Sequence, residues 1–251
     1  MNSNIISSFF TAKKISFSKK KLAVIGLIVA ACGYSILGVN SRLLSQGFDS
    51  MTQVYVRISV GFLLSLFAFR KDIKIKKIRK ISKSDLFWLL MMGVVGYSVG
   101  VWMITIAVLN SKLVNASAIF ATTPFAVYLY SFFLLKEKIN PKLIFLLSLA
   151  IYGVIIISSK SFIPTFAEFG KGEIFAVLSV ITTGWWSVGR KMLSNKLNNK
   201  EITVIVMFIA AVSGIIIAMI KGEPLPIQSF TMTPVLIGIA IGAIVNFALT
   251  F

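Results

Sequence analysis

Leu113-Val-Asn-Ala-Ser-Ala-Ile-Phe-Ala-Thr-Thr-Pro-Phe-Ala-Val-Tyr-Leu-Tyr-Ser-Phe-Phe-Leu-Leu135 runs without a charged residue from Lys112 to Lys136. At 1.5 Å per residue such a run crosses a hydrocarbon core about 30 Å thick. Its apolar residues form a block rather than alternating with polar ones, so it does not read as a strand of a membrane β-barrel. Working outward, seven further runs have the same character: Leu22–Asn40, Met51–Phe69, Leu86–Leu109, Leu143–Ser159, Ile174–Gly189, Ile202–Ile220 and Pro234–Phe251. None contains Asp, Glu or Lys, and the one Arg among them is Arg57. The fifth and sixth are near the short limit, where flanking lysines can snorkel. The fold class is therefore all-α, a polytopic membrane bundle, in a chain that is 57% hydrophobic and only 14% charged.

The net charge of +18 at first suggests a nucleic-acid partner. Its placement excludes that reading. Allotting the loops alternately to two sides puts 20 of the 26 Lys and Arg on the side of the N-terminus and 5 on the other. Such a bias marks the cytoplasmic face. The expected location is a cell (plasma or inner) membrane, multi-pass, with the N-terminus inside. Residues 1–21 form a basic segment at the inner surface. The lysines ahead of Val29-Ala30-Ala31-Cys32 resemble a lipoprotein signal, but everything downstream is membrane-embedded.

The first and sixth spans share a pattern. Gly33-Tyr-Ser-Ile-Leu-Gly38 and Gly184-Trp-Trp-Ser-Val-Gly189 are offset by 151, which also carries Met51 onto Ile202. Gly96 and Gly100 find approximate counterparts at Gly242 and Asn246. The expectation is two five-helix repeats, over 22–159 and 172–251, the second inverted because five is odd. The second is cut short, so about eight of ten spans are visible, and two helices are expected to be missing beyond Phe251. Inverted repeats are the architecture of secondary transporters, with a site near the midplane.

Several candidate residues follow. Pro124, about mid-span, removes a donor to the Phe120 carbonyl and predicts a kink, with Thr122 and Thr123 placed to satisfy freed groups. Asn115, Ala118 and Thr122 fall on one helical face, where they bind solute or join helices. Gly93, Gly96 and Gly100 read as a packing seam. Tyr34, Tyr97, Trp102, Trp185 and Trp186 stand near span centres instead of in an interfacial belt, so cavity lining competes with ordinary packing. Arg57 lies six residues in from a span end. It is read as snorkelling, as meeting an anionic substrate, or as bonding carbonyls at a helix junction. Glu137, at a helix C-terminus, is expected to pair locally with Lys138 and Lys142 and to clamp the inner loop.

The chain has no His and one Cys, which excludes the familiar His- and Cys-based metal sites. No cofactor is expected. No Gly-rich phosphate loop is present, and no membrane carboxylate pair or nucleophile–base set points to an enzyme.

Ala107-Val108-Leu109, Asn115-Ala116-Ser117-Ala118, Thr123-Pro124, Leu134-Leu135-Lys136-Glu137-Lys138 and Ala150-Ile-Tyr-Gly153-Val154 together resemble the EamA-type repeat of the drug/metabolite transporter superfamily. Gly172-Glu173 with Gly184-Trp185-Trp186 is similar to the opening of its second repeat, and Arg57 to the Arg often found in its second helix. Lys136 departs from the pattern, which has Gly before the acid. The resemblance implies two inverted halves that export, exchange or facilitate passage of small organic metabolites or drugs. The expected partners are lipid and a small-molecule solute, with a homodimer as one arrangement. The alternative is a non-transporting membrane subunit or scaffold.

Overall fold

The computed structural model describes residues 36–78, 80–138, 140–159, 170–194, 196–223 and 226–249. Every regular element among them is helical. The first described helix is α1 (residues 36–44), followed by α2 (Ser50–Phe69) and a single turn, α3 (Ile75–Ile78). The third span is α4 (Lys83–Met91), a π-helical stretch Met92–Val99, and α5 (Gly100–Asn110). The fourth is broken into α6 (Leu113–Phe120) and α7 (Thr123–Leu135). Then come α8 (Pro141–Ser159), α9 (Lys171–Met192), α10 (Asn199–Ile220), a short 3-10 turn Ile227–Thr231, and α11 (Thr233–Leu249). Four of these spans are long and apolar enough to cross a membrane: Ser50–Phe69, Lys83–Asn110, Leu113–Leu135 and Asn199–Ile220. Apolar side chains such as Phe67, Phe133, Phe145, Ile216 and Ile220 are exposed on the outside of the bundle, as a lipid-facing surface requires.

From Met51 onward the spans and their approximate bounds agree with the sequence expectation, with helices extending one to three residues into the flanking polar positions, while residues 22–35 of the first expected span lie outside the described residues. Asp and Glu near the starts explain part of this. Ser82 accepts from the Asp85 N–H, and Asn198 with Glu201 forms a reciprocal cap that starts α10 at Asn199. The π-helical stretch was not legible, because one extra residue per turn leaves no mark on hydropathy.

Pro124 is a correction. It does not kink one continuous helix but starts a new one, at the second residue of α7, where its missing N–H costs nothing. The freed carbonyls are met as expected: Thr122 Oγ1 donates to Ile119 O (2.7 Å) and Thr123 Oγ1 to Phe120 O (2.5 Å). The break also separates Asn115 and Ala118 in α6 from Thr122 at the joint, so these three do not share a helix.

At the centre, α2 lies against α10, and the two run antiparallel. Glu223, just past the end of α10, reaches the start of α2, while Glu201 at the start of α10 accepts from Lys74 N, just past the end of α2. The third span packs on α9 and α10, and α11 packs on α2. The glycines allow this closeness. A Cβ at Gly96 would stand 2.5 Å from Trp186 Cβ, one at Gly93 2.6 Å from Ile209 Cγ2, and one at Gly189 2.6 Å from Met92 Cγ. The seam read from Gly93, Gly96 and Gly100 thus joins the third span to α9 and α10.

Candidate functional site

Polar groups are distributed through this bundle in three tiers, two at the ends and one between. The end bearing the basic loops holds Lys200 against Asp72 (2.7 Å), Asp85 accepting from Ser194 N (2.8 Å) and Oγ (2.6 Å), and Lys191 against Glu137 (2.9 Å). Glu137 therefore pairs across to the end of α9 instead of with Lys138 or Lys142. The reason is local: Lys136 adopts a left-handed conformation (φ 54°, ψ 32°) that ends α7 and turns the chain away from its own axis.

At the opposite end, Glu223 accepts from the Met51 and Thr52 N–H groups (2.8 and 3.1 Å), from Ser50 Oγ (3.4 Å) and from Lys221 Nζ. A carboxylate at the N-terminus of α2 is stabilised by the helix dipole. Burial alone would raise the Glu223 carboxyl, but the bonds from Lys221, Met51 and Thr52 outweigh it and hold it below the ordinary range. Glu173 does the same for α9. It accepts from Gly170 N (3.1 Å), Ser111 Oγ (2.6 Å) and Asn115 Nδ2 (3.4 Å), and these bonds again overcome burial and depress its pKa. Asn115 is thereby a tie between α6 and α9. Trp102 also belongs to this end: its indole N–H donates to Ser50 Oγ (3.0 Å), and Lys221 lies 4.8 Å from its ring centroid. It is not near the span centre as expected, because the third span is 28 residues long and its midpoint falls earlier.

Between the ends lies the third tier. Trp185 is stacked on Trp88 (5.4 Å) and edge-on to Tyr130 (5.6 Å). Trp186 faces Tyr97 (5.9 Å), with the Arg190 guanidinium over its ring at 5.3 Å. The third and fourth spans thus both meet α9 through aromatic rings. Closer to the α2 N-terminus, Arg57 is 1% exposed and does not snorkel. Its Nε donates to Gln53 O (3.1 Å), Nη1 to Ser41 Oγ (3.2 Å) and Nη2 to Thr105 Oγ1 (3.1 Å). Buried polar atoms of Asn40, Gln53, Thr52, Ser98, Trp185 and Trp186 find no hydrogen-bond partner among the described residues. Each such atom costs about 1–3 kcal/mol.

The structure therefore brings Tyr97, Trp186 and Trp185 together, sets Arg57 deeper than sequence suggested, and removes Trp102, Asn115, Thr122 and Glu137 to helix ends or joints. Tyr34 lies outside the described residues. Sequence reasoning missed Gln53, Asn40, Trp88, Tyr130 and Arg190. Gln53 was within reach, since it stands one helical turn before Arg57. The stacking of Trp88 on Trp185 leaves no sequence signal, because it joins distant spans. Among the described residues no group of His, Cys, Asp and Glu has metal-binding geometry.

Residues 21–159 match the EamA-like transporter family. The chain is also 23% identical over 231 residues to an uncharacterized transporter of Clostridium kluyveri, covering 90% of this chain and 74% of that protein. With helical spans of membrane length and a family match over more than half its residues, the chain belongs to the EamA-like transporter family and is a multi-pass membrane transporter.

Proposed function

We propose that this protein carries a small organic solute by alternating access between two inverted halves, 22–159 and 172–251, in a cell membrane with its N-terminus in the cytoplasm. The observation that supports this best is the middle tier. The indole N–H groups of Trp185 and Trp186 are buried without partners among the described residues, beside Tyr97, Tyr130 and Arg190. Aromatic faces take up an apolar body and the N–H groups take up its acceptors. The end tiers supply the gates. Each includes polar contacts joining the first half to the second, Lys200–Asp72 and Lys191–Glu137 at one end and Glu223 on Met51 and Glu173 on Ser111 at the other, and rocking opens one set while the other holds. With 20 of 26 basic residues on one side, the Lys200–Asp72 and Lys191–Glu137 end faces the cytoplasm.

The test uses proteoliposomes loaded with a mixture of polar metabolites, with mass spectrometry of what leaves. Saturable efflux of a specific solute is expected. Trp186→Phe, which keeps an aromatic ring but removes the N–H, should raise the half-saturating concentration several-fold. Efflux no faster than from protein-free liposomes refutes the carrier reading, and efflux unaffected by Trp186→Phe refutes the site.

A further inference from the structure

We propose that Arg57, Gln53 and Asn40 form an anion subsite that takes the carboxylate of the carried solute, with α11 as its lid. This rests on the carrier reading and names the chemistry of one end of its substrate. Arg57 is 1% exposed, and no Asp or Glu among the described residues lies within ion-pair distance of it. Its three hydrogen-bond partners are neutral oxygens. Two of them are hydroxyls whose own protons are already committed, Ser41 Oγ to Leu37 O (3.0 Å) and Thr105 Oγ1 to Val101 O (2.7 Å). These partners orient the guanidinium without neutralising it. A guanidinium has five N–H donors. Three are engaged, which leaves one N–H on each of Nη1 and Nη2 for an anion.

Two buried amides adjoin this charge. Gln53, 0% exposed, stands one turn before Arg57 on the same face of α2, and both its side-chain polar atoms lack partners among the described residues. Asn40, 1% exposed, is in the same condition. Asn40 and Arg57 meet at one place on α11. A Cβ at Gly242 would lie 2.6 Å from Arg57 Cδ and 2.7 Å from Asn40 Nδ2. One turn away, a Cβ at Gly238 would lie 2.7 Å from Leu44 Cδ2 and 3.2 Å from Asn40 Oδ1. The subsite is thus covered by two glycines of α11, and a carboxylate enters as α11 moves off α1 and α2. A buried, unneutralised cation beside two unsatisfied amides is costly, and an anion held by guanidinium and amide N–H groups relieves both. A role in helix joining alone would be served by Ser41, Thr105 and the Gln53 carbonyl, and leaves the amides and the charge unexplained.

The experiment titrates the full chain in lipid nanodiscs with acid and amide pairs of equal shape: acetate and acetamide, benzoate and benzamide, succinate and succinamide. Intrinsic tryptophan fluorescence and the thermal unfolding midpoint are the readouts. At least one acid should bind tenfold or more tightly than its amide. Arg57→Gln should abolish that preference and Arg57→Lys should keep part of it. Asn40→Ala, which keeps the arginine, should weaken the acid several-fold and leave the amide unchanged, so the inference is tested even if Arg57→Gln does not fold. Equal binding of acid and amide in every pair, or a preference that survives both Arg57→Gln and Asn40→Ala, overturns it. Efflux sensitive to Trp186→Phe without any acid preference refutes the anion subsite alone. Acid preference without movement of any solute refutes the carrier reading instead.

Discussion

Gly96→Ala and Gly100→Ala place the same methyl group one turn apart on the third span, yet the structure assigns them opposite signs. At Gly96 the new Cβ meets Trp186 Cβ at 2.5 Å and the Trp186 Cα at 3.0 Å. Backbone cannot rotate away, so α9 itself must move outward, carrying Trp185 and Trp186 with it. Overpacking of this kind costs about 1–3 kcal/mol, and replacing Gly by Ala in a helix returns about 1 kcal/mol. At Gly100 the nearest atom is Thr182 Oγ1 at 2.9 Å, with Thr182 Cβ at 3.5 Å, so one hydroxyl need give only slightly, loosening one of its two bonds, to Leu178 O and Ser179 O. There most of the propensity gain survives. The expected gap between the two variants is about 2 kcal/mol, roughly thirtyfold in the folded-to-unfolded ratio, with Gly96→Ala the less stable. Thermal unfolding of each purified variant in the same mild detergent measures it. A Gly96→Ala protein as stable as Gly100→Ala would mean that α9 is not seated on the third span through this glycine. The seam argument, with the placement of Trp186 against Tyr97, would then fail.

Two further outcomes follow from the same geometry. Lys136 stands at φ 54°, a conformation that costs a residue with a side chain about 1–2 kcal/mol, so Lys136→Gly should stabilise the protein by about 1 kcal/mol, seen as a raised unfolding midpoint; a lowered midpoint would contradict the left-handed cap. Glu173 and Glu223 are both held below their ordinary value of 4.5, so the unfolded chain binds more protons than the folded one as pH falls through that range. The stability they contribute is complete above about pH 4.5 and is lost as pH drops through their lower folded values. The unfolding midpoint should fall on acidification, and the Glu173→Gln, Glu223→Gln double variant should be less stable at neutral pH but flatter in its pH dependence. An unchanged slope in the double variant would refute the assignment.

The rough extent of the described spans from Met51 onward was determined by sequence alone, because the cost of placing charge in hydrocarbon is local and additive along the chain. Thr122 and Thr123 were legible as partners for carbonyls left open near Pro124, since Ile119, Phe120 and both threonines lie within five residues of that proline. The capping roles of Glu173 and Glu201 were equally within reach, each lying three residues past its cap. Tertiary structure alone decided which polar residues meet. Trp102 went to the end with Ser50, Glu137 to Lys191, and Arg57 to Ser41, Thr105 and the underside of Gly242. Membrane spans are interchangeable by hydropathy, and their pairing depends on where small residues let backbones approach. That is a property of two surfaces in contact, and no single stretch of this chain contains it.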